Sequence, residues 1–463
     1  MLSPVPWLRP HAQRVTPFAL AAHSARSPRC AAVANPAVID LPDLRVLFAT
    51  RLLRMFAYGL LGVVLVLHLA RLGFGGGRIG LLLTLTLLGD VVISLWLAAH
   101  ADRWGRKKTL LLGAALMAGG GAVMALSGNF VVLVLAATIG VISPSGSEVG
   151  PFQSIEQACL AQAVTDRDRT RFFAWYNVAG YLASALGALA VGWFVGAMTA
   201  GGWSDAGAYR AVFFVYAAIG GVLGLLSLRL TAAIEAPVAA EPEKVTPASS
   251  RHTDLSAGWK PALRGTAFLG LHESRGLVLR LSALFALDSF GGGFILQSFL
   301  AWWFQQRFGA DEAVLGLVFF GTNVLSGLSA LMAVPLARRI GLVATMVWTH
   351  LPSNLLLMLV PLMPSLPWAI AALLARHVLS QMDVPTRQSY VNAIVPARER
   401  SAANGVTATA KQLGTAIGPV VAGALFGSAA ATALPFWICG VLKSTYDLLL
   451  WRAFRKTKPP EER

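Results

Sequence analysis

The chain has 463 residues, of which 56% are hydrophobic and only 13% are charged, and its mean hydropathy is +0.63. Soluble domains carry charged side chains at about 25% of positions, so this composition excludes a water-soluble globular protein. The net charge of +16 does not indicate binding to nucleic acid, because the Lys and Arg residues are spread over many short loops. They form no basic patch on a soluble domain.

Apolar stretches of about 20 residues, the length of a helix that crosses the hydrocarbon core of a bilayer, recur along nearly the whole chain. Twelve spans are predicted, at residues 47–70, 79–100, 109–128, 130–163, 172–197, 209–230, 278–304, 312–336, 341–363, 366–395, 403–428 and 433–453. The fourth and tenth are too long for one straight crossing, and we expect both to project beyond the bilayer. The prediction is an all-α membrane protein with twelve transmembrane helices.

An internal repeat divides these spans into two sets of six. A shift of 231 positions places residues 154–192 on residues 385–423 without a gap. Repeated halves made of apolar helices are typical of secondary transporters, so we predict two pseudo-symmetric six-helix bundles. The predicted segments are an N-terminal tail at 1–43, bundles at 44–230 and 277–454, a cytoplasmic linker at 231–276 and a basic C-terminal tail at 455–463. For the N-terminal tail, which is rich in Arg, a transit-like leader, a disordered tail and a start codon assigned too early are the alternatives.

Lys and Arg are unevenly divided between alternate loops. The loops after spans two, four, eight and ten and the C-terminal tail hold most of them, whereas the other loops hold little beyond Arg71, Arg78, Arg210 and Arg307. Basic loops remain in the cytoplasm. We therefore expect a multi-pass protein of a cell membrane, either an inner or a plasma membrane, with both termini in the cytoplasm.

The loop between spans two and three, Ala98–Leu110, reads A-A-H-A-D-R-W-G-R-K-K-T-L. It resembles the signature loop of the major facilitator superfamily, G-x-L-a-D-r-x-G-r-k-x-x-l, and a degenerate second copy lies at residues 337–341. The matching positions are Asp102, Arg103, Gly105, Arg106, Lys107 and Leu110, while Ala98 and His100 depart from the pattern. The resemblance covers residues 44–454 and implies a twelve-helix solute transporter that works by alternating access.

The resemblance also implies that Asp102, Arg103, Gly105 and Arg106 form a latch, which holds the two halves together on the cytoplasmic side in the outward-open state. Gly105 permits a tight turn, and the Asp102 carboxylate can accept hydrogen bonds from an arginine or a helix N-terminus. An ordinary positive-inside loop is the alternative. The replacement of the family's first glycine by Ala98 leaves open how closely span two approaches span eleven.

Ionisable residues at bilayer depth are costly, so each is a functional candidate. The candidates for cavity and coupling residues are Arg54, Asp90, Glu148, Glu156, Asp288, Asp383 and Arg387. By resemblance, spans one, four, seven and ten line the central cavity, and they carry most of these charges. Other charges, such as Arg51, Lys443 and Asp447, have the alternative of extending to an interface or pairing structurally.

The repeat relates four of these charges. Glu156 and Arg387 are 231 positions apart, and Arg54 corresponds to Asp288 in a less strict alignment. We expect Glu156 and Arg387 to face each other across the central pathway.

Two spans contain residues that break helices. Span four includes the stretch S-P-S-G-S-E-V-G-P at residues 143–151, and span ten includes D-V-P-T-R at residues 383–387. Prolines and glycines at this density do not form a regular helix. Broken helices near the membrane midplane indicate a solute site, with a packing kink as the alternative.

These observations predict a monomeric secondary active transporter of a small solute, with a proton as the coupling ion because a buried carboxylate can exchange protons near neutrality. An uncoupled carrier and a transporter-like sensor are the alternatives. A membrane-embedded enzyme is disfavoured, since no nucleophile–base pair, metal-ligand spacing or cofactor motif is present in the sequence. Cavity charges of both signs favour a zwitterion, a small organic acid or a polar metabolite over a bare cation.

Overall fold

The computed structural model describes residues 41–457 except for residues 151, 164–165 and 236–270. Residues 1–40 of the predicted N-terminal tail, most of the predicted linker and the last residues of the C-terminal tail lie outside the described residues, whereas residues 41–43 of that tail begin the first helix. The described residues form helices joined by short connections, and they contain no β-strand.

Fifteen α-helices and three short 3₁₀ turns make up the described part of the chain. The α-helices are α1 (Leu41–Arg71), α2 (Gly76–Trp104), α3 (Arg106–Leu126), α4 (Phe130–Ile139), α5 (Phe152–Ala163), α6 (Asp166–Ala200), α7 (Asp205–Leu228), α8 (Arg275–Gly293), α9 (Gln297–Phe308), α10 (Glu312–Ile340), α11 (Leu342–Leu359), α12 (Leu366–Leu379), α13 (Asp383–Ile394), α14 (Arg400–Phe426) and α15 (Leu434–Phe454). They account for the twelve predicted spans, because α4 with α5, α8 with α9, and α12 with α13 each form one span.

Spans four and ten are not single straight crossings, as their lengths predicted. Each is interrupted part-way and continues as a second helix. Span seven is interrupted in the same way, which the sequence analysis missed. Among the described residues, eight helical stretches are long and apolar enough to cross a membrane.

The helices pack as two halves, α1–α7 and α8–α15. Within the first half α1 packs on α6 and α7, and α3 packs on α7. Within the second half α8 packs on α14 and α15, and α11 packs on α15. The halves meet mainly where α6 lies against α10 and where α2 lies against α14.

The two faces of the molecule differ in how the halves meet. We name the face at which α1 begins and α15 ends the terminal face, and the opposite face the distal face. Near the distal face, a Cβ atom placed on Gly76 of α2 would lie 2.1 Å from the carbonyl oxygen of Gly423 on α14. A Cβ atom on Gly316 of α10 would lie 2.6 Å from the carbonyl oxygen of Ala188 on α6. Span two thus approaches span eleven closely, through glycines at its distal end.

Candidate functional site

An irregular segment, Gly140–Gly150, separates α4 from α5 in the middle of span four. Three of its residues have left-handed backbone angles: Val141 with φ of 55°, Gly146 with 66° and Gly150 with 83°. A β-branched residue at positive φ is a genuine outlier. Such strain persists only where the surroundings over-determine the backbone, and it is concentrated at functional sites.

Side chains from the neighbouring helices hold the backbone of this segment. The carbonyl oxygens of Val141, Gly146 and Val149 accept hydrogen bonds from Tyr216, Ser184 and Tyr58, at 2.7, 3.0 and 3.1 Å. Irregular backbone at membrane depth needs such partners, because no water is available there to satisfy it. The predicted interruption of span four is therefore an irregular segment stabilised by several side-chain hydrogen bonds, rather than a simple packing kink.

One anchor comes from the opposite half. The carbonyl oxygen of Pro144 accepts hydrogen bonds from both the backbone N and the hydroxyl of Ser298, at 3.2 and 2.7 Å. Ser298 lies in the first turn of α9, directly after the interruption of span seven at residues 294–296. The third interruption, at residues 380–382 of span ten, contributes Gln381, which accepts a hydrogen bond from Tyr181 of α6 at 3.3 Å. The interrupted spans thus join the two halves in the interior of the protein.

Arg54 of α1 is the centre of the charged cluster in the first half. Its side chain is 0% exposed and donates two hydrogen bonds of 2.8 Å to Glu156 of α5. Its Nε donates to Glu148 of the irregular segment at 2.7 Å, and Arg51 donates to the other oxygen of Glu148 at 2.6 Å. Tyr176 of α6 also donates to Glu156, at 2.7 Å. Two arginines balance two carboxylates, with the bidentate geometry that strengthens a buried pair.

Asp288 of α8 is the centre of the charged cluster in the second half. Its Oδ1 accepts a hydrogen bond from Lys443 of α15 at 2.7 Å, and its Oδ2 accepts one from Arg387 of α13 at 3.2 Å. Arg387 also donates to Asp383, one turn earlier on α13. All four residues are buried. Each cation of this cluster therefore has a carboxylate partner within the same half.

A second acid lies behind Asp288. The carboxylate of Asp447 on α15 is 0% exposed, and it accepts a hydrogen bond from Asn354 of α11 at 2.9 Å. Nδ1 of His350 lies 3.0 Å from Oδ1 of Asp447, and Nε2 of the same ring lies 3.9 Å from Oδ1 of Asp288. The imidazole of His350 thus bridges two buried acids on different helices.

The repeat-related charges are brought together within each half instead of across the pathway. The sequence analysis expected Glu156 to face Arg387, but in this structure Glu156 pairs with Arg54 and Arg387 pairs with Asp288. The physical reason is that a repeat matches equivalent positions, and equivalent residues in pseudo-symmetric halves have equivalent neighbours. Spans one and four carry an Arg–Glu pair, and spans seven and ten carry an Asp–Arg pair. The two pairs are equivalent in place and opposite in sign.

The other sequence candidates are divided between these clusters. Glu148 belongs to the first cluster and Asp383 to the second, whereas Asp90 of α2 lies apart and contacts the end of the irregular segment at Gly150. Arg51, Lys443 and Asp447 do not extend to an interface, because all three are buried and have polar partners.

His350 and Tyr176 were missed as cluster members. A histidine inside an apolar span was the available signal for His350. The position of Tyr176 near the predicted start of span five favoured an interfacial aromatic instead.

The signature loop forms a tight turn with partners from the start of the linker. Gly105 joins α2 to α3 with φ of 102°, and the Glu235 carboxylate accepts hydrogen bonds from the backbone N of Arg106 and of Lys107, at 2.6 and 3.3 Å. The guanidinium of Arg106 donates to the carbonyl oxygen of Ile234 at 3.2 Å. Glu235 thus caps the N-terminus of α3, where a negative charge is favoured.

The structure gives no side-chain contact for the two remaining latch candidates among the described residues. Arg103 is exposed, and the side chain of Asp102 lies outside the described part of the structure.

The comparison with known families agrees with this architecture. Residues 47–290 and 282–463 match the family model of the Major Facilitator Superfamily. The chain belongs to this superfamily. Its twelve-helix fold in two bundles and its multi-pass insertion in a membrane follow from this membership, and the role of a Major Facilitator Superfamily protein is that of a transporter.

Several individual proteins resemble the chain over most of its length. The uncharacterized membrane protein YJR124C of Saccharomyces cerevisiae is 31% identical over 421 residues, which make up 88% of this chain and 93% of the relative. The solved structure of a D-xylose-proton symporter has a TM-score of 0.67 at 15% identity, with 90% of this chain and 98% of that chain covered. The nucleoside transporter NupG has a TM-score of 0.62 at 16% identity, with coverages of 89% and 98%. At these identities the two structures show a shared fold.

Proposed function

We propose that this chain is a secondary active transporter that moves a small polar solute across a cell membrane by alternating access, with a proton as the coupling ion. The observation that carries the proposal is the irregular segment Gly140–Gly150, which is held between the charged cluster of its own half and Ser298 of the other half. Interrupted helices and buried charges are costly inside a membrane. Transporters use both to bind a solute between two moving halves.

The two clusters support a solute that carries polar groups, and charges of both signs favour a zwitterion, a small organic acid or a polar metabolite over a bare cation. Arg54 and Arg387 can exchange a carboxylate partner for an anionic or hydroxyl group of the solute, because guanidinium groups have several donors in a fixed plane. Two structural relatives are named as a xylose-proton symporter and a nucleoside transporter, and both of these solutes are polar.

The distribution of Lys and Arg supports a cytoplasmic terminal face. With that orientation, the glycine contacts at Gly76 and Gly316 close the face that points away from the cytoplasm. In the opposite state we propose that the bundles 44–230 and 277–454, rocking as two bodies within one monomer, meet at the terminal face. Asp102, Arg103, Gly105 and Arg106 would then act as the latch.

Transport by the full-length protein in proteoliposomes tests this function. The internal amount of each radiolabelled solute in a library of amino acids, organic acids, sugars and nucleosides is measured with and without a pH gradient. Empty vesicles and vesicles with Arg387→Gln are the controls. We expect at least one solute to accumulate only when the gradient is present. Counterflow without gradient-driven accumulation would establish an uncoupled carrier instead, and the absence of any flux across the library would contradict the proposal.

A further inference from the structure

Asp90 of α2, which is partly buried, differs in its partners from the acids of the two charged clusters. Its Oδ1 accepts hydrogen bonds from the backbone N of Gly150 at 2.6 Å and from the Ser94 hydroxyl at 3.1 Å, both of which are neutral donors. Within the described residues, Asp90 forms no ion pair, whereas Glu148, Glu156, Asp288 and Asp383 each contact an arginine or lysine. A charge without a counter-charge is costly in a membrane-spanning helix, and binding of a proton removes that charge.

A small cavity lies beside this carboxylate. It has a volume of about 10 Å³ and is lined by Asp90, Thr86, Thr138 and apolar residues of α2, α4 and the irregular segment. This volume is close to what a single water molecule occupies. The Thr138 hydroxyl, which lines the cavity, has no hydrogen-bond partner among the described residues. Asp90 is thus next to a polar space in an otherwise apolar contact between two helices.

Asp90 is connected to the first charged cluster through backbone. Gly150 is the last residue of the irregular segment, and Glu148, only two residues earlier, binds both Arg51 and Arg54. The intervening Val149 is held by Tyr58 through its carbonyl oxygen. Any change in the bond from Gly150 to Asp90 therefore acts on a short, already strained backbone that carries Glu148.

We propose that Asp90 is the proton-binding carboxylate of this transporter, and that it transmits its protonation state through Gly150 to Glu148 and its two arginines. This inference rests on the proposed function. An ionised Asp90 anchors Gly150 by a charge-assisted hydrogen bond, and protonation leaves a neutral one that is roughly half as strong. The proton comes from water and forms one O–H bond on the carboxylate.

The surroundings of Asp90 limit which other groups respond to pH. The titratable groups that face it are Glu148, which two arginines neutralise, and the Tyr58 hydroxyl, while Glu156 of α5 is paired with Arg54. The weakened anchor loosens the irregular segment, whose Pro144 is bonded to Ser298 of the opposite half. Proton binding at Asp90 is in this way linked to the contact between the halves.

The distance between the halves as a function of pH tests the inference without a known solute. Spin labels are placed on exposed positions of the full-length protein in lipid nanodiscs, after the native cysteines are replaced by alanine. One pair, Lys108→Cys with Arg455→Cys, reports the terminal face, and the other, Gly128→Cys with Ser428→Cys, reports the distal face. We expect the populations of the two distance classes to change between pH 5 and pH 8.

The variants decide which residue is responsible. Asp90→Asn keeps an oxygen acceptor for Gly150 but cannot ionise, so its distance distributions should be independent of pH. Asp90→Glu should restore the response with a displaced midpoint, which guards against misfolding of the first variant. Asp205→Asn, a change at a half-exposed acid on the distal face, should behave as the unmodified protein.

A pH response in Asp90→Asn equal to that of the unmodified protein would overturn the inference, as would the absence of a response in the unmodified protein. The proteoliposome assay separates this failure from failure of the proposed function. Gradient-driven accumulation that persists in Asp90→Asn refutes the role of Asp90 and leaves the transporter proposal standing. If the unmodified protein accumulates no solute, proton-coupled transport itself is wrong.

Discussion

Replacement of Glu156 by Gln should strongly destabilise the protein, because it leaves the buried Arg54 without half of its counter-charge. Glu156 is 0% exposed and accepts hydrogen bonds from Arg54, Tyr176 and Thr50. Breaking a buried ion pair by removing one partner costs about 3–5 kcal/mol. Arg54 retains Glu148 at 2.7 Å, so we expect a loss near the lower limit, about 3 kcal/mol.

A double-mutant cycle, measured as the free energy of unfolding in mixed micelles, tests whether the lost stability comes from the ion pair between Arg54 and Glu156. Arg54→Gln combined with Glu156→Gln should cost less than the sum of the single changes, because neither charge is then left alone. The expected coupling energy is about 1–3 kcal/mol, within the range for residues in contact. Thermal unfolding monitored by tryptophan fluorescence is a second readout that does not depend on the solute.

The matched control is the cycle of Glu156→Gln with Arg387→Gln. These two residues belong to different clusters and share no partner among the described contacts, so their effects should add to within about 0.5 kcal/mol. A larger coupling for Glu156 with Arg387 than for Glu156 with Arg54 would refute the assignment of partners. It would show that the pair meets across the pathway, as the sequence repeat alone had suggested.

Three further predictions concern the two faces. Asp102→Asn should leave insertion in the membrane normal but slow transport by about tenfold, as the loss of one hydrogen bond to a charged group would do. An unchanged transport rate at an equal amount of protein in the membrane would contradict the latch. Gly76→Val should disfavour closure of the distal face, because its Cβ would lie 2.1 Å from the Gly423 carbonyl oxygen, and an unchanged distal distance distribution between spin labels would contradict this. Hydrogen bonds from the Ser274 hydroxyl and from nearby backbone amides lower the pKa of Glu399, in the loop before α14, to about 2. The stability that Glu399 contributes should therefore be complete above about pH 4.3, the pKa of a free glutamate, and decline towards pH 2, and Glu399→Gln should remove that part of the decline in melting temperature.

The number of spans and the twofold organisation could be predicted because both depend on periodic, local properties of the sequence. A helix that crosses a membrane must be apolar over its whole length, and the repeat is recorded in the order of residues. The interruption of span four was predictable for the same reason, since Pro144, Gly146, Gly150 and Pro151 lie within a few residues of each other. Span seven has no proline at its interruption, and its three glycines before Phe294 indicated close packing equally well. Close packing is indeed present, because a Cβ atom on Gly293 would lie 2.4 Å from the carbonyl oxygen of Thr415.

The partners of the buried charges could not be predicted in the same way. Arg54, Glu156, Asp288 and Arg387 were found from their cost in an apolar span, which requires only the sequence. Which charge pairs with which depends on helix rotation and on the packing of spans that are distant in sequence. The repeat showed that Glu156 and Arg387 occupy equivalent positions in the two halves. The sequence analysis interpreted this equivalence as a contact between the two side chains. The same limit applies to His350, whose role depends on acids contributed by two other helices.

The distal contact between the halves is made of backbone on both sides. Gly76 and Gly80 of α2 meet Gly423 and the carbonyl oxygen of Pro419 on α14 with almost no side chain between them. Ordering a long side chain costs up to about 2 kcal/mol of conformational entropy, and ordering glycine, which has no side chain to order, costs none of this. In the proposed alternating-access cycle this contact forms and separates repeatedly, and it therefore loses little rotational freedom each time it closes. The close fit depends on the shapes of the two backbones, so the proposed closure requires no ordering of long side chains.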